Sequence, residues 1–318
     1  MPVRKLLAFA AIYVLWGGSF LAIRELVAPG GGHAPIPPLF AAGFRFTLAG
    51  TVLIVWSGVR RETELSVRQW LGAAALGLVM FTCLYSALFW AETRIASGIA
   101  AVVSAMIPVW IYAGEVFVLR TQRANALALG GIALGFGGVV LLALQRPGHG
   151  PAHSSTLAVL ATIGGTVCWS AGTLWSRRLA LPRPQTANSG WQMLIGGLVL
   201  LAVSGATGEM HRLPEMSVLL SARVLASMAY LVIAASIITY TAYVWLIAHE
   251  SPTRVASYAY VNPVFALIIG SALAGERLTP LQIGGALLVV AGVFATLIGK
   301  GAKVPHAEQP EAARVVSR

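Results

Sequence analysis

Apolar residues in this chain come in long unbroken stretches rather than alternating with polar ones. A hydrocarbon core takes about 20 helical residues to cross. Stretches of that length fall at 6–27, 39–59, 70–90, 95–119 and 126–144, and again at 155–176, 187–207, 224–248, 255–274 and 281–299. They are continuous and rich in Ala, Leu and Gly, the pattern of helices and not the alternation of a membrane β-barrel. The pattern predicts an all-α polytopic membrane protein with ten transmembrane helices. The first run follows Arg4 and Lys5, is too long for a signal-peptide core, and is expected to remain as a signal anchor.

Composition agrees and narrows the choice. Hydrophobic residues make up 57% of the 318 and charged residues 10%, against about 25% charged in a typical soluble domain. A soluble enzyme, a secreted scaffold and a disordered tail are excluded as readings of the whole. Cys83 and Cys168 lie in apolar stretches far apart and read as small buried hydrophobes, not as a disulfide framework.

The charges are lopsided: 22 basic against 11 acidic, and every acid is Glu. Ten spans put both termini on one side. With the termini cytoplasmic, fifteen basic residues face inward (Arg4, Lys5, Arg60, Arg61, Arg68, Arg120, Arg123, Arg177, Arg178, Arg183, Arg254, Lys300, Lys303, Arg314 and Arg318). Six face outward, namely Arg24, Arg94, Arg146, Arg212, Arg223 and Arg277, and Arg45 stays inside a span. That is a positive-inside bias, and it accounts for the net +11 without a nucleic-acid partner. The polar tail, 300–318, is expected to be disordered.

Shifting the chain by 155 residues superimposes Tyr85 on Tyr240, Trp90 on Trp245, Ala101 on Ala256, Pro108 on Pro263, Gly130 on Gly285 and Gly137 on Gly292. Nearer the amino terminus Trp16 meets Trp169 and Arg24 meets Arg177 at an offset of 153, and Gly50 meets Gly197 at 147, which sets Arg45 opposite Gln192. The units are 1–145 and 155–299, joined by a linker at 146–154. Five spans is an odd number, so the second unit enters the membrane from the opposite side. Inverted repeats of this kind place a substrate site at the midplane between halves and move by rocking one half against the other.

The motifs also resemble a known family. LWGGSFLAIRE (Leu15 to Glu25), GFRFTLAG around Arg45, SGIAAVVSAMIPVW (Ser97 to Trp110) and the long segment from Ser251 to Gly292 are similar to the EamA repeats of the drug/metabolite transporter superfamily. The likeness runs from Leu6 to Gly299 and is strongest to the ten-helix exporter branch. It implies export of amino acids or similar metabolites from a bacterial cytoplasm through the inner membrane. One departure is visible: the family's GE pattern at Glu276 is matched in the first half by Thr121.

Candidate functional residues follow from depth and chemistry. Pro108 and Pro263 each remove a backbone hydrogen bond inside a span, at the carbonyls of Ser104 and Ala259, and are expected to act as hinges beside a central cavity. Trp56, Trp70, Trp90, Trp191 and Trp245 sit near span ends, where an interfacial belt explains them. Trp16, Tyr85, Trp110, Trp169, Tyr240, Tyr243, Tyr258 and Asn262 lie deeper and are expected to line the cargo path, where aromatic faces hold apolar groups and cradle an ammonium. Arg45 is placed either to bind a substrate carboxylate or to bond neighbouring carbonyls. Glu115 either takes part in ion coupling or turns toward Arg120 or Arg123. All six histidines fall in loops, the tail or a helix end, so a midplane Asp or His relay is lacking. Gly131, Gly135, Gly284, Gly285 and Gly292 are expected to let helices approach within a monomer.

Other classes fare worse. No GxxxxGK[ST] loop serves an ATP pump, no Asp pair serves an aspartyl protease, and His249-Glu250 lacks the second His of HExxH. No catalytic residue, cofactor or metal is expected. The reading is an exporter of amino acids or related small metabolites, with the lipid bilayer as its surroundings. A multidrug exporter of lipophilic cations and a membrane-embedded lipid-modifying enzyme are the alternatives.

Overall fold

The computed structural model describes residues 3–29, 33–61, 65–143, 156–250, 255, 258–275 and 279–299. The linker 146–154, Glu276 and the tail from Lys300 lie outside the described residues. Ten long helical segments are present: α1 Val3–Val27, α2 Pro38–Val59, α3 Val67–Glu92, α4 Ser97–Val118, α5 Ala126–Ala143, α6 Thr156–Ser176, α7 Gln185–Ala206, α8 Ala222–Ile247, α9 Tyr258–Ala274 and α10 Pro280–Ile298. Eight are long and apolar enough on their own to span a membrane, and α5 and α9 carry shorter apolar stretches. The protein is a multi-pass, all-helical membrane protein.

Local signals start several of these helices. Ser66 and Gln69 form a capping box at α3, and Thr279 and Gln282 form one at α10 with Pro280 in the first turn. Each box satisfies two backbone N–H groups that a helix start leaves without partners. Asn125 Oδ1 accepts from the N–H groups of Leu127 and Ala128 and does the same for α5. Glu92, expected in an outer loop, instead closes α3 and is fully buried.

Several helices are not regular throughout. Wide π-helical turns interrupt α1 at Ala11–Leu15, α3 at Gly77–Thr82, α4 at Gly114–Val118 and α8 at Tyr230–Ile238. Shifted by 155, Gly77–Thr82 falls on residues 232–237, inside the π segment of α8, so the irregularity itself repeats. Such turns are frequent at functional sites. In α4 the helix stops at Ser104 and restarts at Ile107, with Pro108 in the new first turn. Pro263, its counterpart, sits inside the unbroken α9. The two prolines therefore distort the backbone differently.

The helix pairing is unchanged when the halves are exchanged. The most extensive contacts are α2 along α7 and α5 along α10, each pair mapping onto itself. The contact of α1 with α9 is answered by α6 with α4, and α3 with α6 by α8 with α1. Close approach depends on glycine in the α5–α10 seam: a Cβ at Gly292 would lie 2.5 Å from the Gly131 carbonyl oxygen. Gly284 faces open space, so it takes no part in the close packing expected of it.

Cys83 is exposed rather than buried, and it neighbours Cys168 where α3 meets α6. Sequence separation concealed this pair. Oxidation with copper phenanthroline is expected to join the two thiols, abolishing maleimide labelling of the wild type while Cys168→Ser remains fully reactive at Cys83. Unchanged labelling after oxidation would disprove the α3–α6 register.

Candidate functional site

Six of the eight expected cargo-path residues form one connected aromatic cluster at mid-depth. Trp16 on α1 lies 5.1 Å from Tyr243 and 5.2 Å from Tyr258 between ring centroids. Tyr243 contacts Tyr240 at 6.0 Å and Tyr258 at 6.0 Å. Trp169 on α6 touches Tyr85, Tyr240 and Tyr243 at 6.1, 6.2 and 6.5 Å. The rings come from α1, α3, α6, α8 and α9, so both halves build the cluster. Trp110 stands apart from it, edge-on to Phe136 at 5.1 Å with its N–H donating to Thr166 Oγ1.

A cavity of about 60 Å³ opens beside the cluster, bordered by Trp16, Tyr85, Trp169, Tyr258, Asn262 and Pro263. That is room for about two waters, far below the roughly 300 Å³ of the smallest drug-sized ligand sites. Polar groups reach this cavity too. Ser104 lines it, and its buried hydroxyl has no partner among the described residues. Asn262, with its amide oriented to satisfy both ends, donates to the carbonyls of Ile12 and Tyr13 at 3.1 and 3.0 Å. Those carbonyls lie within the π segment of α1, which explains why an amide is needed there. No carboxylate or basic side chain is among the described residues lining the cavity.

Tyr243 and Tyr258 separate this cavity from a vestibule of about 250 Å³ that runs past Gln192, Asn188, Thr173 and Gln185 to Arg177. Gln192 was overlooked as a site residue. Its Oε1 accepts from the Tyr240 hydroxyl at 2.8 Å and its amide donates to Asn188 Oδ1 at 2.7 Å. The repeat-related pair is Arg45 and Tyr85, whose guanidinium carbon lies 5.3 Å from the ring centroid. Arg45 does not reach the cavity. It is 1% exposed, lies 4.6 Å over the Phe46 ring, and donates through Nε to Ser236 Oγ at 2.9 Å. Ser236 in turn donates to the Leu231 carbonyl within the α8 π segment, and Glu92 acts on Arg45 electrostatically.

The ends of the two halves differ in a regular way. Arg24 Nη1 donates to the carbonyls of Ile95 at 2.6 Å and Glu92 at 3.3 Å, tying α1 to the α3–α4 corner. Its counterpart Arg177 faces the corner after α8, where the N–H of Glu250 bonds the carbonyl of Leu246 as that of Ile95 bonds Ala91. The geometry of the two corners thus repeats, yet Arg177 makes no equivalent bond. It lines the vestibule and approaches Glu115 at 4.0 Å instead. Glu115, expected either to take part in ion coupling or to turn toward Arg120 or Arg123, is 6% exposed and also lies near this arginine of the other half. Likewise Trp16 Nε1 donates to the Ala235 carbonyl at 3.0 Å, while Trp169 is not bonded to the equivalent Met80 carbonyl.

Two tandem matches to the model of the EamA-like transporter family cover residues 4–144 and 156–298. The chain belongs to the EamA-like transporter family. Members of this family and its similar relatives are transporters, not enzymes, which removes the lipid-modifying alternative. The chain is 33% identical over 307 residues to the "Uncharacterized inner membrane transporter YedA" of Escherichia coli strain K12, covering 94% of each. It is 25% identical over 291 residues to a "Probable amino-acid metabolite efflux pump" of Salmonella typhimurium, covering 91% and 93%. It is also 25% identical over 305 residues to the protein PecM of Dickeya dadantii, covering 93% and 95%. A solved crystal structure shares the fold at a TM-score of 0.62 and 21% identity, over 93% of this chain and 97% of that one.

In this EamA transporter α1 is tied to the α3–α4 corner through Arg24, while its counterpart Arg177 lines the vestibule. Ser104, Gln192, Arg24 and Arg177 gave no sign of these roles individually. The register that set Arg24 on Arg177 and Arg45 on Gln192 did hold the relation between them.

Proposed function

We propose that this EamA transporter exports neutral, amphipathic amino acids or closely related metabolites across a bacterial inner membrane, by alternating access between its halves. The observation that carries the reading is the central cavity: aromatic walls from both halves, a hydroxyl at Ser104, an amide at Asn262, and no ionised side chain among its described lining residues. A zwitterion with no net charge enters such a site at lower desolvation cost than a net cation lacking a counter-charge, while aromatic faces serve its ammonium. The resemblance to an amino-acid metabolite efflux pump points the same way.

With the termini cytoplasmic, the vestibule ending at Arg177 opens to the cytoplasm and the structure is inward-facing. Exchanging the conformations of the halves then yields the outward-facing state. In it Arg177 would close on the carbonyls of Ile247 and Glu250, the counterparts of Glu92 and Ile95, while Arg24 lets go. Trp169 would take the Met80 carbonyl as Trp16 leaves Ala235. Pro108 and Pro263, on the walls of the path, are the hinges of this exchange.

Proteoliposomes loaded with a labelled neutral amino acid provide the test. Efflux should be inhibited by excess unlabelled neutral aromatic or aliphatic amino acids and unaffected by tetraphenylphosphonium. Inhibition by the lipophilic cation alone would transfer the assignment to the multidrug alternative.

A further inference from the structure

A second cleft, of about 620 Å³, lies at the ends of α1, α2, α7 and α8, beside the cargo path. We infer that it is a binding site for an acidic phospholipid, whose phosphate sits among Arg4, Arg60 and Arg183 while its acyl chains run down the seam between α1 and α8. This rests on the cytoplasmic placement of the termini proposed above, which puts the cleft in the inner leaflet.

The lining divides by depth as a lipid does. Its rim carries Arg4, Arg60, Arg183 and Gln185, and its floor carries Leu7, Ala11, Ile238 and Ala242 with the single hydroxyl of Thr241 among them. Two of the three guanidiniums are already positioned: Arg4 lies 4.7 Å over the Trp245 ring and Arg60 lies 5.3 Å over the Trp56 ring. Among the described residues none of the three pairs with a carboxylate, although the neighbouring Lys5 is taken by Glu250 at 2.6 Å. Three cations converging on one cleft with an apolar floor attract an anion with a hydrocarbon tail. The first turn of α7 begins at the same rim with Pro184 as its cap, so the positive end of the helix dipole faces the cleft.

The internal repeat supplies a control. Trp90 and Thr207 occupy the register positions of Trp245 and Arg60, and they line the corresponding cleft at the other face. That cleft has similar form but carries two arginines, Arg94 and Arg212, together with the carboxylate of Glu209, so half of its positive charge is offset. The shape comes from the fold, whereas the three arginines belong to one side alone. A general bias toward basic cytoplasmic ends would scatter charge over the loops and would not require convergence on a cleft. Gln185 lines both this cleft and the cargo vestibule, so a bound headgroup borders the open gate.

Native mass spectrometry of the purified full chain, with phosphatidylglycerol and phosphatidylcholine in equal amounts, tests the site. Wild type should retain one phosphatidylglycerol with about tenfold preference or more. The Arg60→Gln/Arg183→Gln variant should lose most of that preference, since each basic residue near a lipid surface is worth roughly fivefold. Arg212→Gln, in the opposite cleft, should retain it. Equal retention by the double variant, or displacement of the lipid by millimolar glycerol 3-phosphate, would overturn the inference. A reporter fused to the carboxyl terminus separates the two readings: an outer terminus with lipid preference intact refutes the orientation and leaves the cleft standing.

Discussion

Arg24→Gln is expected to depopulate the inward-facing state, whereas Arg177→Gln should leave that state intact and weaken the opposite one. Arg24 holds the α3–α4 corner by two charge-assisted bonds to the carbonyls of Ile95 and Glu92. Bonds to charged groups contribute about 1.5–3 kcal/mol each when well sheltered, and Arg24 is only partly buried, so the pair is credited with about 2 kcal/mol in total. Glutamine is too short to reach both carbonyls. A loss of that size moves the inward-to-outward ratio by roughly tenfold or more. Arg177 makes no corner bond here and has a 53% exposed side chain, so its removal costs this state little.

Position 173, on the vestibule wall, reports the outcome. In a background with Cys83→Ser and Cys168→Ser, maleimide labelling of Thr173→Cys from the cytoplasmic side should fall about tenfold with Arg24→Gln. It should hold or rise with Arg177→Gln, and both variants should slow efflux because each removes one end of the cycle. Equal labelling in all three proteins would refute the exchange of gates.

How far the sequence reached can be judged from these residues. Helix number and approximate span came directly from hydropathy, because a bilayer demands long continuous apolar helices. The pairing of Arg24 with Arg177 was also legible, as a coincidence of register. Which of the two is engaged was not, since one sequence serves both states and only coordinates report the occupied one. Trp110 illustrates another limit. Depth along a helix is readable from sequence, but the direction a ring takes around the helix depends on neighbours such as Phe136 and Thr166. Breaks are harder still: Pro108 and Pro263 are equivalent in sequence, yet only α4 stops and restarts.

Arg45→Gln is expected to destabilise the protein strongly while leaving the apparent KM for cargo unchanged. The guanidinium is 1% exposed and lies outside the lining of the central cavity. Its Nε fixes Ser236, whose hydroxyl holds the Leu231 carbonyl. That chain of bonds anchors the π segment of α8 against α2, and Tyr85 and Phe46 receive the charge on their ring faces. Losing a buried charge from such a network costs on the order of 3 kcal/mol. Glutamine keeps a donor for Ser236 but loses the cation over both rings and the electrostatic interaction with Glu92. Arg45→Lys keeps the charge without the planar fork and should fall between. Thermal unfolding in detergent and efflux kinetics at permissive temperature separate the two roles proposed for this residue. Reduced stability with an unchanged KM supports the structural role. Normal stability with a KM raised tenfold, and rescue by a cargo analogue lacking its carboxylate, would show instead that Arg45 turns into the path and binds the carboxylate directly.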